Sequence, residues 1–153
     1  MQKNLSLQWL AKCSIGLVMV CLSLAAQAEQ KQMGDYTVFY NAFNSSFLSP
    51  DVARANGITR SGIVGVLNVS IHKTADDAKA PNAVPANILG TARNRLSQLK
   101  DLAFREVREG DAIYYIASFR FDDKEWVNFD LEIQPEGEGK AVPLTFSQQF
   151  FSD

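Results

Sequence analysis

The sequence predicts an all-β fold, an immunoglobulin-like antiparallel sandwich of about seven strands with one short helix. Three observations carry that reading. Apolar residues recur with period two through most of the chain. The segments between them have turn chemistry. Large aromatics are plentiful, as a small sandwich without disulfides requires.

The strands follow in order. "DYTVFYNAF", Asp35 to Phe43, is rich in aromatic and β-branched residues. "IVGVLNVSIH", Ile63 to His72, alternates Leu67, Val69 and Ile71 against Asn68, Ser70 and His72. "DAIYYIASFRF" places Ile113, Tyr115, Ala117, Phe119 and Phe121 on one side. "WVNFDLEIQ" sets Val127, Phe129, Leu131 and Ile133 against Asn128, Asp130 and Glu132, and "LTFSQQFF" is the last strand. One-sided strands belong to antiparallel sheets with one buried face. "REGD", "DDKE" and "PEGEGK" are turns, and "KTADDAKAPNAVP" is the long polar connection that crosses between sheets.

"ILGTARNRLSQLKDLAF" carries two patterns. Ile88, Ala92, Leu96, Leu99 and Ala103 recur at helical spacing, whereas Gly90 and Asn94 disfavour a helix. Strand, bend, strand is the expectation. A small β-barrel with a helix across residues 91–101 is the alternative.

Parity constrains the register, because a one-residue slip reverses every side chain. An even-numbered loop at Gly110 sets Phe104 opposite Tyr115 and Arg105 opposite Tyr114. By the same parity, Phe119 faces Phe129 and Ala117 faces Leu131. Asp111–Phe121 then becomes the central strand of a meander that a second sheet must cover.

"NAFNSSFLSPDVARANGITRSG" leaves strand pattern after Phe43. Ser49 stands where an N-cap belongs, Pro50 at the first helical position, Asp51 at the positive end and Gly57 past the stop. A short helix over Pro50–Asn56 is a structural corner between two strands.

The N-terminus has a different job. Lys3 and Lys12 flank a polar start, Ile15 to Leu24 is apolar, and Ala26-Gln27-Ala28 forms a small-x-small exit. This predicts a secretory signal peptide over residues 1–28, cleaved after Ala28, with residues 29–153 as one domain. The run falls short of the ~20 apolar residues of a membrane span, so no stable membrane insertion follows cleavage. Cys21 follows Val20 rather than a small residue, which argues against lipidation. Cleavage removes Cys13 and Cys21, the only cysteines, and two of the fifteen Lys and Arg. The formal charge moves from −2 to −4. A mildly acidic chain without a basic patch has no footprint for nucleic acid.

Few residues carry chemistry. Ser70 and His72 share one strand face, as a nucleophile and base would need, but no Gly-x-Ser-x-Gly elbow supports them. Asp76-Asp77, Asp122-Asp123 and Glu136 with Glu138 lie in turns and match no calcium loop. A single histidine without a mature cysteine does not supply a zinc site. Asn44-Ser45-Ser46 and Asn68-Val69-Ser70 are sequons that have meaning only in a eukaryotic secretory pathway. A transmembrane barrel conflicts with outward Asn128, Asp130 and Glu132.

"GDYTVFYNAFNSSFLSPDVARANGITRS", "LAFREVREGDAIYYIASFRF" and "LTFSQQFF" resemble the bacterial family catalogued as domain of unknown function 4426, from about Gly34 to Phe151. The resemblance implies an exported, periplasmic protein of Gram-negative bacteria and carries over no catalytic or binding residue. The expected function is a non-enzymatic binding or accessory module for a protein or envelope partner, with no cofactor. A small-ligand carrier with an apolar pocket between the sheets is the alternative, followed by a hydrolase using Ser70 and His72. Arg105, Tyr114, Arg120 and Trp126 are the expected partner surface on one outward face, since these residue types dominate interaction hot spots.

Overall fold

The computed structural model describes residues 28–74 and 82–153. The expected signal peptide and the Asp76-Asp77 pair therefore fall outside the described residues, Ala28 excepted. The described residues form an immunoglobulin-like antiparallel β-sandwich with one short α-helix, and their two sheets do not close into a barrel. The larger sheet runs β1 (Glu29–Met33), β2 (Tyr36–Asn44), β3 (Val64–Lys73), β8 (Ala112–Arg120), β7 (Arg105–Glu109). The two-residue β4 (Asn82–Ala83) also pairs with β3. The smaller sheet runs β10 (Val142–Phe150), β9 (Glu125–Pro135), β5 (Ala86–Asn94), β6 (Leu99–Asp101).

The strands beyond the expected number are β1, β4 and β6. The polar lead before Gly34 is β1, paired along its whole length with β2. Its side chains are polar because an edge strand is held by backbone bonds and gains from resisting further pairing. Gly34, at φ +59°, makes the tight turn between β1 and β2 possible. Residues 88–101 are strand, turn and short strand, so the helix across 91–101 and the barrel built on it are set aside. Asn94 Oδ1 accepts from the N–H groups of Leu96 and Gln98 and closes that turn locally. This is the local bonding that keeps Asn out of helix interiors.

Two registers differ from expectation. Arg105 pairs with Ile116 and Val107 with Tyr114, two residues away from the predicted alignment. The faces are unchanged: Tyr115 is buried and Tyr114 is not. The shift puts Gly110, at φ +59°, first in the two-residue loop, where a type II′ turn needs it. Phe104 thus precedes β7 and packs, partly buried, against the core.

The meander is also not a single sheet. β8 pairs with β7 and β3, whereas β9 crosses over and pairs with β10 and β5. Phe119 lies opposite Gly65, Ala117 opposite Leu67, and Leu131 opposite Gly90 and Leu144. Phe119 and Phe129 still meet, edge to face at 5.1 Å, but through the core rather than side by side. A hairpin and an arch both turn alternate residues inward, so periodicity alone does not separate them.

The core lies between the sheets. Phe129, Leu131, Ile133 and Leu144 from the smaller sheet meet Val38, Leu67, Val69 and Ile71 from the larger, all at or below 1% exposure. Phe119, Phe121 and Phe150 complete an aromatic cluster with ring centroids 5.1–6.4 Å apart. Gly65 is required by this packing, since a Cβ there would fall 2.3 Å from the Phe119 ring.

Candidate functional site

The outer face of the larger sheet is unusual for a surface. Phe39 and Phe43 of β2, Val66 and Asn68 of β3, Tyr114 and Ile116 of β8, and Val107 of β7 all point away from the core. None is fully exposed, and Val66 is 1% exposed. The cover comes from the segment between β2 and β3, which folds back across the sheet instead of projecting into solvent. It contains a 3-10 turn (Ser45–Phe47) and the helix α1 (Pro50–Ala55). As expected, Ser49 caps α1 by accepting from the Val52 N–H at 3.3 Å, Pro50 opens it and Asp51 lies in its first turn. Gly57 follows with φ +58°.

Polar contacts fix this corner. Buried Ser45 donates to the carbonyls of Thr59 and Ser61 and accepts from the Ser61 N–H. Asn44 donates to the Gly62 and Phe151 carbonyls, and Ser46 donates to the Asp153 carboxylate. Arg105 donates to the Asn56 carbonyl from the sheet side. The corner is therefore tied to both β7 and the C-terminal residues.

Two adjoining clefts form a groove on this face. One, of about 290 Å³, lies beside the corner and is lined by Phe39, Asn68, Ser70, His72 and Tyr114 among others, with Ala28, the last residue of the expected signal peptide, at its edge. The other, of about 180 Å³, is bounded by Phe43, Val52, Ile58, Val66, Val107 and Tyr114. Asn68 and Tyr114 line both. Asn68 Oδ1 is buried without a hydrogen-bond partner, the one side-chain atom in that condition among the described residues. Such a group costs about 1–3 kcal/mol and calls for an explanation.

Ser70 and His72 do come together, with Ser70 Oγ 2.8 Å from His72 Nε2. Ser70 is 6% exposed, and the Phe39 ring meets the imidazole edge to face at 5.1 Å. Ser70 stands in the middle of a paired strand, not on the sharp turn that presents a hydrolase nucleophile.

The expected partner surface divides. Arg105, Tyr114 and Arg120 occupy the outer face of the larger sheet. Trp126 does not, because β9 belongs to the other sheet; it stands on that sheet's outer face beneath the Arg95 guanidinium, 5.5 Å from the ring centroid. Sharing a face followed from the single-sheet meander and fails with it.

One carboxylate of each described pair has a structural partner. Asp123 accepts from the Ser152 N–H, and that bond holds its carboxyl below the usual range. Glu138 accepts from Tyr36, whose hydroxyl is pushed up by that bond. Among the described residues, no three or more His, Cys, Asp or Glu are grouped to hold a metal ion.

The sequence reading missed one polar network. The Tyr115 hydroxyl accepts from the Ala86 N–H and donates to Glu106, each at 2.8 Å, joining the sheets at one edge. Burial first, then Glu106, pushes that phenol up, while Arg108 and then Tyr115 hold Glu106 low. The signal was the parity of Glu106 with Tyr115, hidden by the register shift.

A separate cleft, of about 340 Å³, opens at one end between the sheets. Met33, Tyr36 and Val38 face Ile133, Pro135 and Val142 across it, with Glu138 and Lys140 alongside.

The chain belongs to the family described as domain of unknown function 4426, whose model matches residues 30–153. No curated protein matches it. Its fold is similar to the crystal structure of a member of that family from Pseudomonas aeruginosa PAO1, at 36% identity and TM-score 0.70, covering 82% of this chain and 96% of that one. FetP of uropathogenic Escherichia coli strain F11, expressed in the periplasm, shares the fold at 12% identity and TM-score 0.60, with 83% and 95% covered. A copper-bound variant protein of Campylobacter jejuni does so at 11% and 0.52, with 82% and 96% covered.

Proposed function

We propose that this member of the domain of unknown function 4426 family is a non-enzymatic binding module of the bacterial periplasm, engaging its partner through the outer face of the larger sheet. The observation that carries this is the groove itself, an aromatic and aliphatic surface with a buried, unpaired carboxamide oxygen at its centre. Tyr114 is the central contact, with Arg105 and Arg120 at the margins. The periplasmic assignment is supported by the small-x-small exit at Ala28 and by the fold shared with FetP, which was expressed there. No helix of the described residues is long and apolar enough to cross a membrane.

Copper, bound by two of the fold relatives, does not fit these residues. The described residues offer one imidazole, engaged by Ser70, and one thioether, Met33, which is 8% exposed. They include no thiol.

The test compares Phe39→Ala with Tyr114→Ala, first matched to wild type in thermal stability, then used to recover partners from periplasmic extract. Both should lose the partner, and Trp126→Ala should retain it. Full retention by the groove variants removes the assignment.

The carrier reading has its own support in the end cleft between the sheets. Native mass spectrometry of freshly purified protein should then find a small molecule that Val142→Glu excludes. A hydrolase would show acyl-ester cleavage that disappears with His72→Ala; the 2.8 Å contact of Ser70 and His72 makes that assay worth running.

A further inference from the structure

We infer that the groove accepts a short apolar peptide segment carrying a basic residue, with one of its amide N–H groups donated to Asn68 Oδ1. This rests on the binding role proposed above and specifies the occupant.

Hydrogen bonding gives the first argument. Asn68 stands where the two clefts meet, and its residue is half-buried although Oδ1 is covered. Its terminal torsion is soft, so an amide N–H entering either cleft would turn the covered oxygen toward itself at little cost. An acyl chain would leave this acceptor unpaired; an amide N–H satisfies it.

Dimensions give the second. The cleft under the corner crosses β2, β3, β8 and β7, adjacent in that order. Three inter-strand steps of ~4.8 Å span ~14 Å, about the length of four extended residues. The clefts on either side of Asn68 and Tyr114 each have room for an aliphatic side chain.

Charge gives the third. Glu109 is the only Asp, Glu, Lys or Arg side chain lining either cleft, and it lies in the cleft that Ala28 and the processed amino terminus do not line. It forms no ion pair among the described residues. A lone carboxylate beside apolar walls favours an occupant with an ammonium or guanidinium group over an acidic one.

The probe is acetylated, amidated Ala-Leu-Lys-Leu-Ala, titrated into isotope-labelled processed protein, with an analogue bearing Glu for Lys. The lysine peptide should shift amide resonances at Asn68, Val107 and Tyr114. Asn68→Leu should weaken it about tenfold, the worth of one lost hydrogen bond, while holding or raising the melting temperature. Asn68→Ser, smaller and still polar, repeats the measurement should the leucine variant fold poorly. Glu109→Gln should weaken the lysine peptide and remove its salt dependence.

Absence of shifts at these positions, or equal binding of both peptides, overturns the inference. So does affinity unchanged by the Asn68 variants. Concentration-dependent dimerisation abolished by Tyr114→Ala also overturns it, because a second copy would be the occupant. Partner loss in Phe39→Ala and Tyr114→Ala without peptide binding would reject the peptide and leave the binding role standing.

Discussion

The two outer faces of this sandwich are built from strands with similar alternation and end in opposite states. On the smaller sheet, β9 alternates buried Val127, Phe129, Leu131 and Ile133 with outward Trp126, Asn128, Asp130 and Glu132. That outward row is solvated and partly self-paired, with Ser147 donating to Asn128 at 2.5 Å and Arg93 3.8 Å from Asp130. On the larger sheet, β3 is buried on both sides from Val64 to Leu67, then again from Val69 to Ile71. The difference is the corner that folds back over β3. A strand in the middle of a sheet becomes two-sided once something lies across it, and Val-Gly-Val-Leu is a sequence able to tolerate that.

The comparison can be broken most decisively where both sheets depend on one side chain. Phe129→Ala should lower stability by about 3–5 kcal/mol, since its ring stacks on Phe146 at 4.6 Å and meets Phe119 across the core. Urea unfolding measures it; a loss under about 1 kcal/mol would mean the core is not shared as described.

Gly65→Ala tests the crossing of β9. Its Cβ would enter the ring of Phe119, which is held among Phe121, Phe129 and Phe150, so a cost of about 1–3 kcal/mol is expected. A neutral result would show that Phe119 can move and that its packing does not fix the arch.

A matched pair sharpens the contrast between faces. Val66→Ala, at an outward position that is 1% exposed, should cost about 2 kcal/mol. Leu89→Ala, outward on the smaller sheet and 61% exposed, should stay within about 0.5 kcal/mol. Equal costs would erase the distinction. Ser49→Ala should remove about 1 kcal/mol by uncapping the helix of the corner.

The smallest effect is acid-dependent. The carboxyl of Asp123 is held low in the folded chain, so its contribution is present above its unfolded pKa, about 3.9, and is lost as pH falls through the lower folded value. Asp123→Asn should therefore lower stability slightly at neutrality, by a difference that fades as pH falls below about 4, which flattens the acid limb of the profile.

The sequence by itself determined the class of fold, the seven longer expected strands, the strand and turn that begin at Ile88 and the capped helix after Ser49. These are local matters. Period-two alternation states which side of a strand meets the core, and Ser49-Pro50-Asp51 carries its own capping chemistry. Tyr115, Phe119, Phe129 and Leu131 were legible as core for that reason. The polar strand β1 was not, because an edge strand held by backbone bonds leaves little apolar signature. Tertiary structure alone decided that β9 arches to the second sheet, that Trp126 leaves the face of Tyr114, and that the corner covers Val66 and shapes the groove around Asn68. The reason is geometric: alternation fixes the face of a strand but not its neighbour, and a groove between distant segments has no periodicity of its own.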